Sequence, residues 1–179
     1  MKNSHFTITI DRDIMKEYEE YYFKKNPRCR KSYFKNNWKN KKIKKVKYLY
    51  TVLSLNDLLP INSMVYSSLK KQWGDFGEWL ASYYKLSNLN LENAVVEYRI
   101  FNETKIRKDC DNYSAKILND GLFSKSGMFK DDSYYFINPF ISGMEYNKDN
   151  PRTEIRISII DEEIKEIYKK LIIHINNFK

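Results

Sequence analysis

The chain opens on an alternation. Phe6, Ile8 and Ile10 are interleaved with polar or small residues, so His5 to Ile10 is read as a half-buried strand. Asp13 to Phe23 reads as a short helix with its aromatic residues gathered on one side, and Tyr48 to Leu53 is again strand-like. From about Ser63 to Lys85 the period changes. Val65, Leu69, Trp73, Phe76, Leu80 and Tyr83 recur every three or four residues and form one apolar face of a long amphipathic helix. Trp73 lies on that face and is assigned to the core rather than to base stacking. Trp79 lies off it, and both roles stay open. Gly74 and Gly77 each cost such a helix roughly 1 kcal/mol relative to alanine, which close approach of another element would offset.

Further on, Asn93 to Phe101 is β-branched and aromatic and predicts a strand. A helical run follows from about Asn112 to Asp120, with Gly121 where a helix commonly stops. Tyr134 to Ile137 and Arg152 to Ile159 read as strands, the second with Ile155, Ile157 and Ile159 on one side. The turn formers of Asn147 to Pro151 predict the loop between them. Asp161 to Phe178 reads as a last helix. Asp161, Glu162 and Glu163 favour its dipole, and Ile164, Ile167, Tyr168, Leu171 and Ile175 form its buried stripe. The sum is an α+β (mixed α/β) fold, a single domain whose mixed or antiparallel sheet is flanked by helices. Its 179 residues are enough for one substantial core.

Charge changes the picture. The net charge is +9, which favours an anionic partner, nucleic acid first among them. The abundance of Lys, Asn, Ile and Tyr has a competing source in AT-rich coding sequence. Lys24 to Lys47 holds twelve Lys or Arg residues and no acidic one, interleaved with Tyr33, Phe34 and Trp38. One reading is a solvated, mobile loop. The other, which we favour, is a DNA arm whose Lys39, Lys41, Lys42, Lys44 and Lys45 contact phosphates while aromatics stack on bases. Such an arm is expected to be partly disordered without DNA. The two cysteines, Cys29 and Cys110, make no disulfide framework and no zinc spacing. No secretory leader opens the chain and no apolar run reaches membrane length, so the expectation is a soluble cytoplasmic protein with no membrane partner. His5 and His174 are each isolated, and no Gly-rich phosphate loop or Ser/His/Asp arrangement is present.

The chemistry concentrates between Lys105 and Ser133. Asp109 and Asp111 are two residues apart, so an extended backbone points both carboxylates to one side. A second acidic pair, Asp131 and Asp132, follows the helical run, and a strand, a helix and a return would bring the pairs together. Converging carboxylates repel one another unless a divalent cation neutralises them, and hard oxygen ligands suit Mg²⁺ or Mn²⁺. Lys105, Arg107 and Lys108 lead into the stretch, placed to hold phosphates or exposed at a strand end.

The order D-x-D-N, a lysine, D-G-L, a turn with glycine and a closing D-D resembles the RusA-type Holliday junction resolvases, nearest their phage and prophage branch. A weaker likeness runs from about Phe6 to Ile159, with N-P-R-T-E-I at Asn150 to Ile155 as its later landmark. Three residues rather than the family's two separate D-x-D-N from the lysine, read as one residue inserted ahead of the helix. The resemblance implies a RusA-like nuclease domain over residues 1–160 with the basic loop inserted at 24–47 and the helix of 161–179 packed on it. It implies that Asp109, Asp111, Lys116 and Asp132 are the catalytic set, with the three aspartates as ligands for Mg²⁺ or Mn²⁺. It also implies a homodimer that cleaves branched DNA, inside the bacterial host cytoplasm if phage or prophage encoded. One alternative is a non-catalytic DNA-binding protein of the same descent, although three aspartates facing phosphate would then be unexplained; a third reading takes the acidic pairs as solvated turns.

Overall fold

The computed structural model describes residues 5–27, 53–54, 63–105, 113–131, 133, 137–161 and, within the last helix, 163, 164, 166, 167 and 170. The named elements are β1 (His5–Ile10), α1 (Arg12–Lys25), β2 (Leu53–Ser54), α2 (Ser63–Tyr83), β3 (Ala94–Asn102), β4 (Tyr113–Ser114), α3 (Lys116–Asn119), a π-helical continuation of α3 (Asp120–Lys125), β5 (Ile137–Tyr146) and β6 (Arg152–Ile159). Four strands form one mixed sheet in the order β1-β6-β3-β5. β6 runs antiparallel to both neighbours, and β3 runs parallel to β5. β2 and β4 form a separate two-stranded ladder. The fold is α+β, with helices packed on the sheet.

Alternation decides the faces. Ile8 of β1 stands opposite Ile155 of β6, which stands opposite Tyr98 of β3; all three are buried. The next row is Phe6, Ile157 and Val96. A one-residue slip in any of these strands would turn the row to water, so the register is strongly specified. The intervening positions carry the polar face, with Glu97, Arg99, Arg152, Glu154 and Arg156. There Arg99 pairs with Glu145 at 2.6 Å and the Arg152 guanidinium lies 3.6 Å from the centre of the Phe101 ring. Partly exposed pairs of this kind add little stability each, but they give the second face a solvated chemistry.

α2 contributes Trp73, Phe76 and Leu80 to the same buried cluster as the sheet, and the Tyr84 hydroxyl just beyond it donates to the Thr9 carbonyl of β1 at 2.9 Å. α1 begins one residue before the sequence reading because Asp11 caps it, its carboxylate accepting from the amides of Asp13 and Ile14. Tyr18 of α1 meets Phe76 at 4.9 Å and Trp79 at 5.1 Å between ring centres. That settles Trp79 in a ring cluster with Tyr18, Tyr21, Phe76 and Tyr83. Tyr83, expected on the buried stripe, is instead exposed and donates its hydroxyl to Glu17 at 3.2 Å.

Two other expectations are corrected. The strand read as Tyr134 to Ile137 does not stop there: it is described from Ile137 to Tyr146, and residues 134–136 lie outside the described residues. Pro139 and Gly143 interrupt the strand signal in the sequence, and both are tolerated because β5 is an edge strand. The Asn112 to Asp120 helix is likewise displaced. Tyr113 and Ser114 are strand, the helix opens at Lys116, and it passes through Gly121 to Lys125. Gly127, at φ 68°, takes the left-handed position that follows a helix end. Of the C-terminal helix, residues 163, 164, 166, 167 and 170 are helical, and the Asp161 carboxylate accepts from the Ile164 amide at 2.9 Å as a cap, but Ile167, expected on its buried stripe, is exposed. Among the described residues no helix is long and apolar enough to cross a membrane.

Candidate nucleic-acid interface

Parallel neighbours cannot be joined by a hairpin, so the chain must cross over from the end of β3 at Asn102 to the start of β5 at Ile137. The whole acidic stretch lies in that crossover. Its front part is anchored by β4 pairing with β2, Tyr113 opposite Ser54 and Ser114 opposite Leu53. Ala115 then serves as helix cap and Lys116 is the first residue of α3. The three residues between D-x-D-N and the lysine, Tyr113, Ser114 and Ala115, are thus strand and cap.

α3 is held from two sides. From the sheet, the buried Tyr98 hydroxyl donates to Asn119 Oδ1. Burial pushes the Tyr98 phenol far above its ordinary pKa, so it remains a neutral donor. From α2, the contact is backbone on backbone. A Cβ built on Gly121 would lie 2.6 Å from Gly74 Cα, and one on Gly77 would lie 2.5 Å from the Leu122 amide nitrogen. Only glycine lets the two segments cross this closely. The segment ends tidily: the Ser126 hydroxyl donates to the Leu122 carbonyl and accepts from the Met128 amide at 3.1 Å.

That crossing opens a cleft of about 470 Å³ lined by Lys70, Lys71, Gly74, Lys116, Asp120, Gly121, Ser124 and Lys125. Asp120 sits between two ammonium groups, 2.7 Å from Lys70 Nζ and 3.7 Å from Lys116 Nζ. Lys125 is bound by Asp75 at 2.7 Å and Glu78 at 2.8 Å, and those hydrogen bonds make it hold its proton more tightly than an ordinary lysine. Lys116 is thus an exposed cation steadied by a carboxylate one helical turn away, at the edge of a basic recess.

Of the other residues singled out in the sequence, Lys105 lies 5.1 Å over the Tyr146 ring, beyond the adjacent ends of β3 and β5. Asp131 is described and exposed. Asp109, Asp111, Asp132, Arg107, Lys108, Lys39, Lys41, Lys42, Lys44, Lys45, both cysteines and His174 lie outside the described residues. Among the described residues no group of three or more His, Cys, Asp or Glu side chains could hold a metal ion. No protein-family model, curated protein or solved structure matches the chain.

Lys70, Lys71, Ser124 and Lys125 were not singled out in the sequence. The one available signal was the proximity of Lys70 and Lys71 to Gly74 on the polar side of an amphipathic helix. Nothing local places them beside Lys116; the Gly74–Gly121 crossing does.

Proposed function

We propose that the chain is a divalent-metal-dependent endodeoxyribonuclease that hydrolyses phosphodiesters in branched DNA, in the manner of the RusA-type resolvases its acidic motif resembles. The observation that carries the reading is the position of Lys116. It opens α3 just after the D-x-D stretch and presents its ammonium at the edge of a basic cleft.

The donor set proposed for the metal, Asp109, Asp111 and Asp132, is all carboxylate oxygen, which fits hard Mg²⁺ or Mn²⁺. Once bound, the ion would supply Lewis acidity and a more acidic water. The remaining work falls to the chain. Lys116 would neutralise charge developing on the phosphate or assist the leaving oxygen. Asp120, engaging Lys116 one turn on, would limit where that ammonium can reach. Lys105, Arg107 and Lys108 would hold adjoining phosphates. A four-way junction offers two opposed strands, so a two-fold homodimer would present two matching centres.

Convergent carboxylates destabilise the free protein, and a bound cation removes that repulsion. Mg²⁺ or Mn²⁺ is therefore expected to raise the melting temperature in a concentration-dependent way. The Asp109→Asn and Asp132→Asn variants should melt higher than the native chain without metal and gain less from it. Absence of any shift with millimolar divalent ions would remove the metal centre and, with it, the hydrolytic reading.

A further inference from the structure

Asn119 is a polar side chain in an apolar place. It is 7% exposed, its chain neighbours Ile117, Leu118 and Leu122 belong to the core, and its Oδ1 accepts from the buried Tyr98 hydroxyl. Exchanging both members of a buried polar pair for apolar groups of the same shape is often neutral or stabilising. Net stability is therefore a weak reason for the pair. Register is a stronger one, since a single buried asparagine can fix how packed helices align.

α3 has a register to fix. Lys116–Asn119 is α-helical and Asp120–Lys125 is π-helical, so the backbone pairing changes by one residue directly after Asn119. The far end is anchored, because the Asn88 amide donates to the Ser126 carbonyl at 3.0 Å. Relaxing the π-helical turn to α-helix against that anchor would turn α3 by about 100° and shift it by about 1.5 Å. Lys116 would then leave the edge of the cleft. The Gly74–Gly121 contact sets the distance between α2 and α3, but two glycines have no side chains to resist rotation.

We infer that Tyr98 is a positioning residue: through Asn119, its hydroxyl holds α3 in the register that presents Lys116 to the scissile phosphate. The inference deepens the nuclease reading and rests on it for what Lys116 does, but not for the pin itself.

The test is the double variant Tyr98→Phe/Asn119→Leu, which removes both polar groups and keeps the branching of both side chains. It should melt at or above the native temperature, because neither partner is left buried and unpaired. Amide exchange followed by NMR should nevertheless quicken over residues 116–125, first at the Asn119 amide, which donates to the Ala115 carbonyl at 2.8 Å. Turnover of a four-way junction in Mg²⁺ should fall about tenfold or more, since a misplacement of about 1 Å can cost about a hundredfold. The affinity for the junction in EDTA should stay native. Tyr98→Phe alone strands Asn119, so it should melt lower and lose the same turnover per folded molecule. Tyr84→Phe removes a different tyrosine hydroxyl, the one bonded to Thr9, and should melt lower with native exchange in α3 and native turnover. Native exchange and native turnover in the double variant would overturn the inference. So would a double variant that melts lower and loses turnover only in proportion to its unfolded fraction, as a purely structural pair requires. If the native chain cuts no junction while exchange quickens in the double variant, the pin stands and the nuclease reading alone falls.

Discussion

Asp111→Asn is expected to lower cleavage of branched DNA by several orders of magnitude while DNA binding persists or tightens. Asparagine keeps the shape of the side chain and removes its charge, and a Mg²⁺ ligand of this type acts through a negative oxygen. Hydrolysis then loses the centre that stabilises charge on the phosphate. On the nuclease reading binding should gain, because one negative charge proposed to face the DNA backbone is removed. Asp109→Asn and Asp132→Asn should behave alike. Asp149→Asn, in the exposed turn between β5 and β6, should leave both cleavage and binding unchanged. Equal cleavage by the Asp111→Asn chain would show that the D-x-D pair is not the metal site.

The other large effect is on folding, and it separates two glycines that touch. Gly121→Ala is expected to destabilise the protein by about 3 kcal/mol, the upper part of the range for overpacking a core. Its Cβ would meet the backbone of Gly74, and backbone cannot rotate aside as a flexible side chain would. The segments would have to separate, carrying Lys116 and Asp120 away from Lys70. Gly74→Ala should do the reverse. Its Cβ meets nothing within 4 Å, and replacing a helix glycine by alanine stabilises by up to about 1 kcal/mol. Urea denaturation of the two variants should give opposite signs. A neutral Gly121→Ala would mean that α2 and α3 are not held at backbone distance.

Much of the fold was legible where one face is buried and the other is wet. β1 and β6 have the bounds read from their alternation, because Ile8, Ile10, Ile155 and Ile157 line the core while the intervening residues face outward; Ile159, at the end of β6, is only half-buried. α2 was legible for the same reason at a different period, and of its two glycines Gly77 is the one whose missing side chain permits the close approach, since a Cβ on Gly74 would meet nothing within 4 Å. Tyr83 misled because a phenol continues an apolar stripe on paper, while its hydroxyl is satisfied at the surface by Glu17. β5 was hidden by Pro139 and Gly143, which weaken a strand signal although an edge strand accepts them.

Gly121 misled for a more general reason. A glycine can serve a left-handed turn or a close crossing, and one-dimensional sequence does not distinguish the two. Here Gly127 does the first and Gly121 the second. The same crossing explains why the lysine cleft was invisible. Lys70 and Lys71 look like any solvated pair on a polar helix face until Gly74 and Gly121 bring α3 against them. The acidic motif is read from its spacing alone. Asp109, Asp111 and Asp132 lie outside the described residues.

The measurement that bears most directly on the nuclease reading is strand cleavage on a panel of end-labelled DNAs. The panel comprises a four-way junction, a fork, a flap and a linear duplex, each incubated with the native chain in Mg²⁺, in Mn²⁺ and in EDTA. The expected result is metal-dependent cutting of the branched substrates, with paired cuts in opposed strands of the four-way junction and none in the linear duplex or in EDTA. Intact substrates under every metal condition, with the junction nevertheless bound, would contradict the account and leave a DNA-binding protein without catalysis.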